Sequence, residues 1–258
     1  MKLTVLGCTG SLAAPGNPGS SYLINAREGD PGILMDFGPG ALAALQEVGD
    51  PSDTHLLFSH LHADHCSDTA SLCVWRRYHP TAPAIRRHML YGPSYAAEHL
   101  GRMGANGPDE IDDLSDTFDV RAWVSGQPIH IDAVTVTPFA VLHPAVESHA
   151  LRVESKDTGS VIAYSGDSAY TPALVEAARG ADLFLCEAAW GPTATADTPP
   201  GMHMSGQEAG RLAREAVVNK LVLVHIQPWS DKSATLEAAR AEFDGEVVLG
   251  CAKDVYEV

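Results

Sequence analysis

Positive charge is scarce in this sequence. Lysine and arginine number 17 against 33 aspartates and glutamates, a formal net charge of −16. An acidic surface repels phosphate backbones, so a long nucleic-acid substrate is disfavoured unless basic residues cluster locally. The dense basic spots, Arg76-Arg77 and Arg86-Arg87-His88, are short and read as solvated faces. Cysteine is sparse too. Cys8, Cys66, Cys73, Cys186 and Cys251 are odd in number and form no C-x-x-C pair, which argues against disulfides and for a reducing, cytoplasmic setting. No apolar run is long enough to span a bilayer, and Met1-Lys2 leads straight into LTVLG. Neither a membrane span nor a signal segment is expected. No G-K-[ST] follows the first glycine turn, so a phosphate-cradling loop is only weakly suggested there. Gly7 and Gly10 suit tight backbone geometry near a site.

What remains is the composition of a globular enzyme, 45% hydrophobic and 19% charged over 258 residues, enough for a single domain spanning 1–258. Its densest chemistry is FSHLHADHC, Phe58 to Cys66, where His60, His62, Asp64 and His65 fall within six residues as H-x-H-x-D-H. THLLF before it reads as a buried strand, and CSDTASLCVWRRY after it as a helix. The motif thus sits on a loop at the carboxyl end of a strand. Imidazoles and carboxylates at this density suit a borderline divalent cation such as zinc. If extended, His60 and His62 project to one side and can grip one metal, while Asp64 and His65, beyond a bend, can face a second. Two sites need further ligands from elsewhere in the chain.

Several later segments end strands on metal-ligating residues. GILMDFG ends on Asp36, which suits either an acceptor for a metal-bound imidazole or a turn cap. VLHP places His143 at a strand end, S-G-D places Asp167, ADLFLCEAAW ends at Glu187, and NKLVLVH ends at His225. His203 lies in the irregular loop before SGQEAGRLAREAVV, a helix with Ser205 as N-cap and Glu208 in capping-box position. Tyr91 to Leu100 reads as a helix, and GRMGANGPDEIDDLSD as a loop or mobile cover over the site. Strands then alternate with helices. A layered sheet sandwich with helices outside and its site along one edge follows from that order.

H60-x-H62-x-D64-H65, His143, Asp167 in S-G-D and His225 in L-V-L-V-H together resemble the metallo-β-lactamase superfamily, over nearly the whole chain. The S-G-D, L-C-E-A and H203-M-S elements are similar to its ribonuclease Z branch. MKLTVLGCTGS, LLFSHLHADHC, VWRRYHP, EIDDLSDTFDV and AEFDG look like an actinobacterial group of that branch associated with an atypical cyclic-nucleotide phosphodiesterase activity. The resemblance implies an α/β fold, a four-layer αββα sandwich, with two divalent metal ions: zinc foremost, manganese or iron as alternatives. It implies His60, His62 and His143 on one metal, Asp64, His65 and His225 on the other, and Asp167 between them. It further implies a bridging hydroxide as nucleophile, with Asp64 orienting it, and His203 acting on the leaving or non-bridging oxygen. Glu187 either orients His203 or is a buried strand-end acid. Relatives of the ribonuclease Z type are often homodimers.

One departure bears on substrate. The branch usually carries a long basic arm between the third histidine and the bridging aspartate, whereas a compact hairpin joins His143 to Asp167 here. The expectation is therefore a dinuclear phosphodiester hydrolase acting on small-molecule substrates, 3′,5′-cyclic AMP foremost. A ribonuclease Z-like nuclease and a lactonase are the alternatives. Cys66 and His149 adjoin the site in sequence. Trp75, Trp190 and Trp229 are large aromatics placed either to stack on a base or to fill the core and rim.

Overall fold

In the computed structural model, which describes residues 1–258, two seven-stranded sheets lie face to face. The first sheet is built from β1 (Lys2–Gly7), β2 (Ser21–Asn25), β3 (Gly32–Met35), β4 (Thr54–Leu57), β5 (His88–Gly92) and β6 (Phe118–Ala122) in that order. The second holds β7 (Ile129–Ile131), β8 (Val134–Ala140), β9 (His149–Ser155), β10 (Val161–Tyr164), β11 (Leu183–Glu187), β12 (Lys220–Val224) and β13 (Glu246–Leu249). The chain ends by returning β14 (Val255–Glu257) to the outer edge of β1. Each sheet is antiparallel on one side and parallel on the other. β3 to β6 run parallel, as do β10 to β13.

Alternation along the strands explains the layering. Leu3, Val5, Ile33 and Met35 face Val134, Val153, Ile162, Leu183 and Val222 across the sheet interface. The residues between them, such as Leu34 and Leu56, face outward onto α1 (Ala41–Val48), α3 (Thr69–Tyr78) and α4 (Ala96–Gly104). A four-residue turn of helix, α2 (Ala63–Cys66), precedes α3. Phe184, Cys186, Leu221 and Leu223 likewise face α5 (Pro172–Ala178), α6 (Gly206–Ala216) and α7 (Lys232–Arg240). Both faces of each sheet are buried, so these strands read as continuous apolar runs rather than clean alternation. The arrangement is the αββα sandwich of the metallo-β-lactamase fold.

Two expectations need correction. Tyr91 lies in β5, not in a helix, and the helix begins at Ala96. MLYG alternates buried and half-buried residues in a strand paired between β4 and β6, and Pro93 separates it from the helical pattern. The acidic segment is not a cover over the site. Arg77 of α3 draws it down by pairing with Asp112 at 2.6 Å and Asp116 at 2.8 Å, outside the first sheet. No helix is long and apolar enough to cross a membrane.

Candidate metal centre

The carboxyl ends of the parallel strands from both sheets meet at one edge, and the chemistry collects there. β4 delivers Ser59 and His60. His62 stays extended at φ −67°, ψ 152° and caps α2, which swings Asp64 and His65 inward beyond it. The second sheet supplies His143 after β8, Asp167 after β10, Glu187 at the end of β11 and His225 after β12. The backbone is tightly fitted here. A Cβ on Gly38 would collide with the Asp64 carbonyl, and one on Gly10 with the His225 carbonyl. His225 itself takes a left-handed φ of 54°, and its N–H donates to the Cys8 carbonyl at 2.9 Å, joining the two sheets.

All seven side chains expected to ligate metal come together. His60, His62 and His143 offer nitrogens mutually within 4.8 Å, and Asp64, His65, Asp167 and His225 form a second such group. His143 Nε2 lies 3.1 Å from His62 Nδ1, and His65 Nε2 lies 3.3 Å from His225 Nε2. Asp167 sits between the groups, 3.3 Å from His65 and 3.8 Å from His60. All but Asp64 and His62 are buried, and solvent reaches the centre over His62.

Backing groups fix which nitrogens face inward. Asp36 accepts from His65 Nδ1 at 2.8 Å, which fixes a proton on that nitrogen and turns Nε2 inward. Asp36 also accepts from the Ser59 N–H and Oγ, both at 2.7 Å, and from the Tyr164 hydroxyl at 2.7 Å. Ser59 Oγ in turn lies 3.1 Å from His60 Nδ1. His143 Nδ1 donates to the Met202 carbonyl at 2.7 Å. Asp36 therefore backs the imidazoles and does not cap a turn. Ser59, Tyr164 and Met202 were missed from sequence. Their only signal is adjacency, since Ser59 precedes His60 and Tyr164 opens Y-S-G-D.

Electrostatics and donor chemistry fit a divalent cation in each group. Burial pushes the His60 imidazole well below its ordinary range and His143 down to about 4, leaving both neutral with lone pairs to give. His60 Nε2 and Asp167 Oδ1 are buried and have no hydrogen-bond partner. Against burial, His225 and His65 hold the Asp167 carboxyl well below the carboxylate range, and His65 with His225 does the same to Asp64. Despite burial, Asp167, Asp64 and Asp36 hold His65 well above its ordinary value. Lone pairs facing lone pairs in a buried, carboxylate-rich cleft are satisfied by cations.

His203 lies beside this cluster, its ring centre 5.0 Å from that of His143. Its Nδ1 is 3.0 Å from Glu187 Oε1 and 3.9 Å from Asp167. Burial works against its proton, but Glu187 and Asp167 outweigh it and raise the imidazole to about 9. Glu187 is itself fixed by the N–H groups of Ser168 and Met204, so it orients His203. Trp190 packs edge-on to His203 at 5.1 Å, and Trp229 is largely exposed four residues past His225. Trp75 instead stacks on His79 at 4.2 Å on α3. Cys66 is buried near His99 and joins neither group of ligands. His149 is buried at the start of β9, its N–H donating to the Ser59 carbonyl at 3.0 Å. His88 belongs to a separate network with Arg76 and Asp53.

Residues 31–226, which hold every one of these ligands, match the model of the beta-lactamase superfamily domain. The chain belongs to the metallo-β-lactamase superfamily. Within the superfamily, it is 46% identical over its whole length to the protein Rv1339 of Mycobacterium tuberculosis, covering 92% of that protein. It is 26% identical to a ribonuclease Z of Haloferax volcanii, covering 96% of this chain and 92% of the relative. The crystal structure of the metallo-β-lactamase fold protein YhfI from Bacillus subtilis superposes with a TM-score of 0.83 at 25% identity, over 100% of this chain and 99% of that one. These relations place the chain in the ribonuclease Z-like branch as a metallo-hydrolase.

Proposed function

We propose that this protein hydrolyses small phosphodiesters, 3′,5′-cyclic nucleotides foremost, with two divalent cations. His60, His62 and His143 hold one, Asp64, His65 and His225 the other, and Asp167 reaches both. The cations, zinc first and manganese or iron as alternatives, supply Lewis acidity at neutral pH and offset the negative charge of the phosphodiester. The chain supplies the rest. Asp64, the carboxylate nearest solvent, orients the attacking water and accepts its proton. His203 gives its proton to the departing ribose oxygen as the phosphorus–oxygen bond breaks, and Glu187 holds His203 charged and correctly turned until then.

The observation that carries this reading is the His203–Glu187 pair beside Asp167. An alkoxide is a poor leaving group, and an imidazole held protonated near the attacked centre answers that need. The second sheet supports a small substrate. His149–Ser155 and Val161–Tyr164 are joined by five residues, which leaves no arm for gripping a long RNA. Most arginines are paired with neighbouring carboxylates, as Arg27 is with Asp157 and Arg86 with Asp53.

The test is a substrate panel with purified protein loaded with zinc or manganese. Cyclic AMP or cyclic GMP should be converted to the nucleoside monophosphate. Inertness towards every cyclic nucleotide combined with trimming of precursor tRNA would establish the ribonuclease Z-like alternative. Turnover of lactones alone would refute both phosphodiester readings.

A further inference from the structure

Two tyrosines lie side by side between the sheets, directly beneath the candidate metal centre. Tyr22 comes from β2 and Tyr164 from β10, with ring centroids 5.0 Å apart. Both are fully buried. Their hydroxyls have opposite fates. Tyr164 donates to Asp36 Oδ2 at 2.7 Å, whereas the Tyr22 hydroxyl has no partner.

Asp36 is the hub under both groups of ligands. It reaches His65 directly, and it reaches His60 through Ser59 Oγ. A buried carboxylate needs its lone pairs satisfied, and Asp36 receives four donors. Three come from the first sheet: the Ser59 N–H, Ser59 Oγ and His65 Nδ1. Tyr164 is the single donor from the second sheet, and Asp167 follows it three residues later. His65 belongs to one sheet, while Asp167 and His225 belong to the other, so the spacing of these ligands depends on how the sheets are registered at this point.

We propose that Tyr164 is a positioning residue that registers the two halves of the metal centre by tying Asp36, and through it His65, to the strand that carries Asp167. The inference rests on the reading that these side chains hold cations. It does not depend on which ester is cleaved. Removing the hydroxyl leaves Asp36 held from the first sheet alone. His65 then loses its fixed spacing to Asp167 and His225. Loss of such a backing hydrogen bond weakens metal affinity by about 10- to 100-fold.

The experiment compares Tyr164→Phe with Tyr22→Phe in metal-free protein titrated with zinc against a chromophoric chelator. The same samples are then loaded with cobalt(II) and their visible absorption recorded. Tyr164→Phe should bind at least one cation about 10- to 100-fold more weakly, with an altered cobalt spectrum. Tyr22→Phe removes an equally buried hydroxyl that makes no hydrogen bond to the centre, so it should titrate as wild type. Asp36→Asn added to Tyr164→Phe should bind no worse than Asp36→Asn alone, because the two act as one unit. Wild-type affinity in Tyr164→Phe would overturn the proposal, as would equal weakening in Tyr22→Phe or additive losses in the double variant. A wild-type protein that binds no cation would overturn it along with the ligand assignment. One that binds two cations but leaves cyclic nucleotides intact would overturn the proposed substrate and leave Tyr164's role standing.

Discussion

Replacing His203 with Ala tests the proposed proton donor, a side chain outside the two sets of residues assigned to the cations. Its imidazole is raised from 6.5 to about 9, with Glu187 and Asp167 overcoming burial. That gap corresponds to ~3 kcal/mol of coupling between the proton and its surroundings, for a side chain only 11% exposed. The sign is fixed by linkage. A group whose value rises on folding stabilises fully below its unfolded value, here 6.5, and loses that contribution as pH climbs through about 9. Metal-free wild type should therefore exceed His203→Ala in melting temperature at pH 6, with the difference shrinking towards pH 10. On the proposed mechanism the same proton serves the leaving group, so His203→Ala should lower kcat for a cyclic nucleotide by about 10²- to 10⁴-fold. It should cost far less for bis(p-nitrophenyl) phosphate, whose leaving group departs as a stable anion. Bound cations repel the proton, so the alkaline limb of the wild-type rate should fall at or below about pH 9, and Glu187→Gln should move it further down. Equal losses on both esters would refute the assignment of His203 as proton donor. So would an alkaline limb that stays put in Glu187→Gln.

Three further outcomes follow. Stripping the protein with a chelator should abolish turnover and lower the melting temperature by roughly 5–10 °C relative to protein held at a hundredfold excess of zinc over its dissociation constant, from ~2.7 kcal/mol of binding linkage, as calorimetry would show. Gly38→Ala should reduce zinc stoichiometry and activity together, because its Cβ would meet the Asp64 carbonyl; unaltered metal content would count against that packing argument. Arg76→Ala should cost roughly 3–5 kcal/mol in denaturant unfolding, since it strands the buried carbonyls of Pro51, Ser52 and Thr117. Its kcat per folded molecule should hold, because nothing in that network touches the centre.

The sequence displays the ligands more openly than the scaffold behind them. H-x-H-x-D-H is legible because metal chemistry demands particular side chains at short spacing, and His143, Asp167 and His225 because each ends an apolar run. β6 and β14 escaped notice because TFDVRA and VYE are short, half-exposed edge strands whose pairing comes from distant segments. The acidic run after α4 resembled a mobile cover because its tether, Arg77, lies more than thirty residues upstream. Asp36 was visible as a carboxylate at a strand end, but its role was not. Its four donors, from Ser59, His65 and Tyr164, are brought to it only when the sheets close. The His203–Glu187 pair is half-legible in the same way: both stood out in sequence, and folding decided that one orients the other.

The central claim is tested most directly by anomalous diffraction at the zinc edge from crystals of the zinc-loaded protein. Two peaks are expected, one bounded by His60, His62 and His143 and one by Asp64, His65 and His225, with Asp167 between them. A single peak, or peaks away from these side chains, would contradict the account.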